Sequence, residues 1–545
     1  MVTGQLKFEH PVAFWAGIVT TAAGILAQLP MFYDARRMHY QLAGMGIPAE
    51  MTAGMVMIVA GAVLAGYGVY PATAPRDAGP GNLGVRVSAL DTAPIRPAHV
   101  ALLFTLTFAI IIDIMKPTTL SFVAPGAETE YHLRGPLLPH VNALPIALYP
   151  LAGITGTVIG SILWGWLSDR VGRRAALLLA DIIFIASSTC GTMPAYWLNL
   201  VCCLIMGIGV GGLLPIAVTL LSESVPSRHR GWLMVLIGGG GAGLAYLITS
   251  WLSATIGAPD HFGWRIMWLV GLPTGLVLIL LNRWIPESPR FLLAQGRRAE
   301  AEAVLTRYNA VLVEDDDRAG PEIKDRYSEL FRGPFLVLSI CVVLCGLSIG
   351  LLQYGFQQWM PSNLEKLGYT AVNASTILRN SSLWGLPLSV PVALLYGFWS
   401  SRKTVVLLIA LNLAAMLAFA LGGVGLLRHK AFTELLLIIP TWSVGLLASV
   451  LAVYAVEIYP TVNRSRGGGL AAGATKLGGV LILALAAIAF AAPSVASTAE
   501  IALIPMALAL VVLVRYGPET SRRTLEQISA GVTDAAQPVG APEAG

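Results

Sequence analysis

The sequence predicts an all-α membrane protein made of two six-helix bundles with two additional helices ahead of them. Composition supports the first part. Of 545 residues 56% are hydrophobic and only 12% are charged, and the charges gather in short clusters between long uncharged runs, which excludes an ordinary soluble domain. An internal repeat supports the second. Pro286-Glu-Ser-Pro-Arg290 closes one apolar run and Pro518-Glu-Thr-Ser-Arg522 closes another, 232 positions later (518 − 286). Gly165-Trp-Leu-Ser-Asp-Arg170 is echoed by Gly397-Phe-Trp-Ser-Ser-Arg402 at the same interval (397 − 165 = 232). Glu223 with Arg230 recurs as Glu457 with Arg464 (457 − 223 = 234). A duplicated membrane unit is the expected architecture of a secondary transporter, whose site lies between halves that rock against each other.

A helix needs about 20 apolar residues to cross the hydrocarbon core. Runs of that length lie near 11–33, 51–71, 99–123, 144–168, 174–193, 196–221, 232–257, 264–285, 334–358, 373–398, 404–424, 433–458, 468–492 and 498–516, which makes fourteen spans. Starting the repeat near His99 and adding 232 gives 331, just ahead of Pro334, so spans three to eight and nine to fourteen are the duplicated sixes. The expected units are an appended two-helix segment (1–97), an N-terminal bundle (98–286), a cytoplasmic linker (287–333), a C-terminal bundle (334–518) and a cytoplasmic tail (519–545). Small residues in the appendage, Gly17, Gly24, Gly54, Gly61 and Gly66, allow close helix contacts and suggest docking to a partner or another copy. In the linker, Phe291, Leu292, Ala299, Ala303 and Val304 form one helical stripe, the pattern of amphipathic helices lying on the membrane surface. The tail is rich in Ala, Pro and Gly, a composition that favours disorder.

Lys and Arg in short loops set orientation. Arg170, Arg173, Arg174, Arg228, Arg230, Arg402, Lys403, Arg464 and Arg466 share one side with the linker and the tail, which makes that side the cytoplasm and places both termini there. Arg36 and Arg37, and Arg428 with Lys430, run against the rule. The apolar run after Lys7 has no small-residue cleavage site, so the expected location is a cell membrane, crossed many times. All five cysteines fall inside predicted spans, which implies neither a disulfide framework nor a metal site, and no cofactor motif occurs. The net charge of +5 reflects the loops and not nucleic-acid binding.

Five motifs stand in order: Gly165-x-Leu-Ser-Asp169-Arg170-x-Gly172-Arg173-Arg174, Gly207-x-Gly-x-Gly-Gly212-x-x-Pro215, Glu223-x-x-Pro226-x-Arg228-x-Arg230-Gly231 with Glu457-x-Tyr-Pro-Thr461-x-x-Arg464, Pro286-Glu-Ser-Pro-Arg290, and Pro518-Glu-Thr-x-x-x-Thr524-Leu525-Glu526. Over about residues 99–526 the chain resembles the major facilitator superfamily, in the branch that holds sugar porters, aromatic-acid symporters and synaptic-vesicle-protein-like carriers. The resemblance implies a cytoplasmic gate at Asp169, Arg170, Arg173, Arg174, Glu223, Arg230, Arg402, Glu457 and Arg464. The ninth span reads Tyr354-Gly-Phe-Gln-Gln358-Trp359-Met-Pro361, closer to the organic-anion relatives than to the Gln-Gln-x-Ser/Thr-Gly of sugar porters, and the seventh span lacks the glutamine that sugar porters carry. Cys203 stands where the branch usually has an arginine.

The third span departs most usefully. Relatives carry Asp-Gly-Tyr-Asp, whereas here Asp113-Ile-Met-Lys116 is followed by Pro117, which lacks an amide and clashes with the Asp113 carbonyl, so the helix is expected to break at the pair. Ionisable groups at that depth are functional candidates by default. Asp113 is therefore the expected proton carrier, with Lys116, Tyr354, Gln357, Gln358, Arg379, Asn380, Trp384 and Lys476 as substrate lining. Mutual neutralisation of Asp113 and Lys116 is the alternative, and Asp181 is expected to cap the arginine network.

These readings converge on a proton-coupled importer of a small organic anion, a carboxylate. Lys116 would hold Asp113 ionised until a substrate carboxylate competes for the lysine and leaves Asp113 to take up a proton. A sugar or polyol symporter and a non-transporting receptor or sensor are the rivals, and no enzyme signature occurs.

Overall fold

Among the described residues, fourteen helices long and apolar enough to cross a bilayer give the chain its frame, and the computed structural model shows how they pack. It describes residues 10–69, 85–89, 95–133, 144–225, 227–294, 296–308, 310–314, 330–332, 335–422, 425, 430–459, 464–488 and 494–520. The first two spans are Pro11–Met38 and Ala49–Val69. Spans three to eight are Pro97–Glu130, Leu148–Ser168, Arg173–Thr192, Tyr196–Leu213, Gly231–Ala254 and Ile266–Trp284. Spans nine to fourteen are Phe335–Lys366, Ala371–Trp399, Ser401–Gly422, Lys430–Ile458, Arg466–Ile488 and Val495–Tyr516. Local chemistry sets several boundaries. Pro97 opens the third span, where a missing amide costs nothing, and His99 Nδ1 accepts from the Arg96 amide at 3.0 Å. Thr370 and Ser494 cap the tenth and fourteenth, accepting from Asn373 N at 3.2 Å and Ser497 N at 3.1 Å.

The third span does not break. Helix continues from Pro97 to Glu130 through both Pro117 and Pro125. Thr118 and Thr119 hydroxyls donate to the carbonyls of Ile114 and Met115 at 2.7 and 2.8 Å, which ties the residues after the proline to the preceding turn.

Glycines bring helices together within each bundle. A side chain at Gly207 would fall on the Gly153 carbonyl, drawing the sixth span onto the fourth, and one at Gly350 would fall on the Thr475 carbonyl, drawing the ninth onto the thirteenth. In the appendage Gly17 packs on Gly61 and Gly24 on Gly54. The small residues expected to receive a partner are thus spent inside the hairpin itself, with Gly66 facing Leu179 of the fifth span.

The appendage is fastened to the first bundle at both ends. Where its two spans turn, the Leu42 and Ala43 amides donate to Glu130 Oε1 at 2.6 and 3.0 Å. Glu130 also accepts from Arg265 Nη2 at 2.7 Å and Trp264 Nε1 at 2.9 Å, while Arg265 Nη1 donates to the Gly191 and Met193 carbonyls. At the other end, strand β1 (Val85–Ala89) pairs antiparallel with strand β2 (Ala310–Glu314) of the segment between the bundles, Val85 opposite Glu314. Arg96 Nη1 and His99 Nε2 donate to the carbonyls of Thr306 and Tyr308. The linker is therefore helical over Pro289–Ala294 and Arg298–Tyr308 and then forms a strand. Its buried stripe is Ala301, Leu305 and Tyr308, where i, i+4 and i+7 share a face, and not Ala299 and Ala303, which are exposed.

Glu130 and Arg265 side chains are 5% and 1% exposed, so removing the acid strands a buried cation. Glu130→Ala is expected to lose about 3–5 kcal/mol of stability. A thermal-unfolding midpoint in detergent within a degree of the parent would contradict this reading.

Candidate functional site

Four helix pairs form the seam between the bundles. The third span meets the ninth, the fourth meets the thirteenth, and the seventh lies against the tenth and twelfth. Gly238, Gly239 and Gly243 of the seventh span leave room for Ser449, Leu446 and Leu386, and one function of that glycine run is this close approach. Near the middle of the seam sits Lys476, on the thirteenth span. Its Nζ donates across the seam to the Thr157 carbonyl at 3.1 Å and to Ser161 Oγ at 2.8 Å, both on the fourth span. Asp113, 6% exposed on the third span, is the acid that interacts electrostatically with Lys476, and its Oδ1 has no hydrogen-bond partner among the described residues.

Lys116 is not the cation facing Asp113. Its Nζ donates to the Trp268 carbonyl at 2.9 Å and lies 5.2 Å from the centres of both the Phe184 and Trp268 rings, beside Ser188 and Gly271. The long stem carries the ammonium into the first bundle, where a carbonyl and two ring faces take the place of a carboxylate. Asp181 also departs from expectation. It is fully buried with neither carboxyl oxygen hydrogen-bonded, and packs by Gly275 away from the arginine loops.

The ninth span supplies the other polar groups. Tyr354 packs on Gly479 and interacts with Asp113, Gln357 Nε2 donates to the Thr441 carbonyl at 3.1 Å, and Gln358 is 3% exposed with Nε2 unpartnered. Tyr246 OH, Trp359 Nε1 and Ser362 Oγ are likewise buried without partners, and the Tyr246 ring stands 5.6 Å from Phe122 of the third span. Buried polar atoms are ordinarily satisfied, so unpartnered ones at a seam are where a ligand or water binds. Arg379 donates to Asn380 Oδ1 at 2.9 Å, and Asn380 Nδ2 donates to Glu434 Oε1 at 3.0 Å, forming a separate cluster near the opposite end of the tenth span. Trp384 is 68% exposed beside exposed Leu383 and Leu388, so it faces lipid and does not line the interior.

At the end carrying the arginine loops, the repeat is visible in three dimensions. Glu287 accepts from the Arg173 and Arg174 amides at 2.8 and 3.4 Å, and Glu519, 232 positions on (519 − 287), accepts from the Ser401 amide at 3.0 Å. Each acid caps the helix that starts its half's third span. Burial pushes the Glu287 carboxyl up from its ordinary value, opposed by the amides of Ser288, Arg174 and Arg173 and by the Arg174 charge. Glu457 accepts from Tyr396 OH at 2.8 Å and Thr520 Oγ1 at 2.6 Å, and its Oε1 lies beside Gly231 of the first bundle. Arg170 stacks on Trp166, and Arg402 donates to the Val514 carbonyl. The side chains of Asp169, Glu223, Arg230 and Arg464 lie outside the described residues.

A family model described as "Sugar (and other) transporter" matches residues 146–531. The chain belongs to that family of the major facilitator superfamily. Among curated relatives of this transporter, the niacin transporter NiaP of Acinetobacter baylyi is 28% identical over 462 residues, covering 81% of this chain and 99% of its own. The gallate transporter of Pseudomonas putida is 27% identical, covering 69% and 82%. Among solved structures, the proton:xylose symporter XylE bound to 6-bromo-6-deoxy-D-glucose aligns with a TM-score of 0.59 at 20% identity, covering 79% of this chain and 98% of that one, a likeness of fold.

Sequence reasoning on this transporter missed Thr157, Ser161, Tyr246 and Ser362, because a hydroxyl in an apolar span carries no signal until the packing shows what it faces. Gly172 was legible as a turn residue, and its φ of +97° with a Cβ position 2.7 Å from Glu287 Oε2 adds a second constraint. Gly172→Ala is expected to lower both folded yield and uptake, with Gly165→Ala, which meets open space, as the control. Equal yields for the two variants would contradict it.

Proposed function

We propose that the protein imports a small organic anion, an aromatic carboxylate, together with a proton by alternating access. The observation that carries this reading is the pair of opposite charges at the seam: Asp113 of one bundle and Lys476 of the other, the lysine hydrogen-bonded across to Thr157 and Ser161. The relatives named for niacin and gallate, both aromatic carboxylates, support the substrate class.

In the empty carrier Lys476 faces Asp113 and latches the thirteenth span to the fourth. An arriving carboxylate takes the Lys476 ammonium as its partner, a charge-assisted contact worth about 1.5–3 kcal/mol. Thr157 and Ser161 are released, and Asp113 loses its counter-charge in a site where an unpaired carboxylate is costly, so it binds a proton. Anion and proton enter together and leave the seam's charge unchanged. Tyr354 and Gln358 orient the ring and its polar substituents. At the arginine-loop end Glu457 lies against Gly231 of the first bundle, and that approach parts when the carrier opens inward, while the Glu287 and Glu519 contacts stay within their own halves. That end faces the cytoplasm by the distribution of Lys and Arg, which puts both termini inside a cell membrane.

A sugar or polyol symporter is the second reading, favoured by the likeness in fold to XylE. A neutral substrate needs no cation, so Lys476→Gln separates the two. It is expected to reduce carboxylate uptake about 10- to 100-fold, and unchanged uptake would favour the neutral substrate. For coupling, Asp113→Asn in sealed vesicles is expected to retain exchange of labelled nicotinate for unlabelled, while accumulation driven by an acid-outside gradient disappears. Accumulation against a gradient by that variant would exclude Asp113 as the proton carrier.

A further inference from the structure

Three of the five cysteines converge where the fifth span returns into the sixth. Cys190 and Cys203 are fully buried, and the Cys190 side chain contacts those of both Cys202 and Cys203. Cys202 is half-buried and lies 3.9 Å from Thr189 Oγ1, with all three present as free thiols. On its other side Cys202 packs beneath the appended hairpin in a sulfur-rich cluster with Met31, Met51 and Met193. Cys190 and Cys203 also neighbour Lys116, the buried cation for which the transport scheme has no use.

We propose that these cysteines form a redox cross-link in which Cys190 is the pivot, bridging to either Cys202 or Cys203 and fastening the fifth span to the sixth. The two spans already pack together at this end, so a bond between side chains in contact asks for little backbone movement. The chemistry is a two-electron oxidation: two S–H bonds break, one S–S bond forms, and two protons and two electrons reduce a lipid-soluble acceptor, a quinone to its hydroquinone or a diazene to its hydrazine. An acceptor of that kind partitions into the bilayer and meets the half-buried Cys202 first. Because Cys202 and Cys203 are neighbours in sequence, thiol–disulfide exchange passes the bond between them while Cys190 stays the common partner. The cross-link holds the wall next to Lys116 in one arrangement, and reduction releases it.

The primary test is independent of transport. The full-length protein in lipid nanodiscs is treated with a membrane-permeant diazene, denatured, alkylated with a maleimide and mapped by peptide mass spectrometry. The expected result is a linked pair of peptides, one holding Cys190 and the other Cys202–Cys203, in the wild type. Cys202→Ser and Cys203→Ser each retain the link, Cys190→Ser loses it, and dithiothreitol reverses it. If Cys190→Ser does not fold, Cys190→Ala takes its place. Five alkylated thiols in the oxidised wild type, or a link to residues 202–203 that survives in the Cys190 variant, would overturn the proposal. In vesicles, oxidation is expected to reduce wild-type uptake about twofold or more, reversibly, and leave the Cys190 variant unaffected. Equal inhibition of both would show that the bridge does not govern transport.

Discussion

A half-buried lysine ammonium from one bundle is hydrogen-bonded to the backbone of the other, and much of the arrangement at the seam centres on keeping it satisfied. Water is scarce at that depth, so Lys476 must find acceptors in protein. It finds the Thr157 carbonyl and the Ser161 hydroxyl across the seam, with Asp113 as the acid within its field. A cation held in this way does two jobs. It joins the bundles, and in the proposed mechanism it is the group a negatively charged substrate takes over. In the proposed mechanism substrate binding and release of the seam are one event, as alternating access requires of a central site.

The frame around this site is stiff where it must be. Glycine-lined contacts bind the fourth span to the sixth and the ninth to the thirteenth, so each bundle moves as a body and motion concentrates at the seam. Glu287 and Glu519 fix the short loops in both halves by capping the helix that follows. The appended hairpin belongs mechanically to the first bundle: Glu130 and Arg265 hold its turn, while the β1–β2 ribbon, Arg96 and His99 draw the inter-bundle segment onto the same body. The described part of the linker up to Glu314 is thereby anchored to the first bundle.

The fold was readable because it rests on features that sequence carries directly. Span length and a repeat interval of 232 residues suffice for fourteen helices in two sixes behind a pair, and the motifs place the family. The site was less readable, because a lysine stem spans several ångströms and its destination depends on packing. Asp113 and Lys116 lie three residues apart, yet the lysine turns to Phe184 and Trp268 and the acid's electrostatic partner is a lysine 363 positions away (476 − 113). Pro117 signals a break by its own chemistry, yet the helix runs on through it from Pro97 to Glu130. Trp384 reads as lining or lipid anchor with equal ease until its neighbours are known. The linker stripe was displaced from 299 and 303 to 301 and 305, a shift of half a turn that a short amphipathic pattern tolerates.

In the proposed mechanism, carboxylate binding at Lys476 makes Asp113 take up a proton. Calorimetric titration of the purified protein with nicotinate, repeated in buffers of different ionisation enthalpy, measures that proton directly. The account predicts uptake of about one proton per anion bound in the wild type and none in Asp113→Asn. Binding with no change in proton number in the wild type would contradict it.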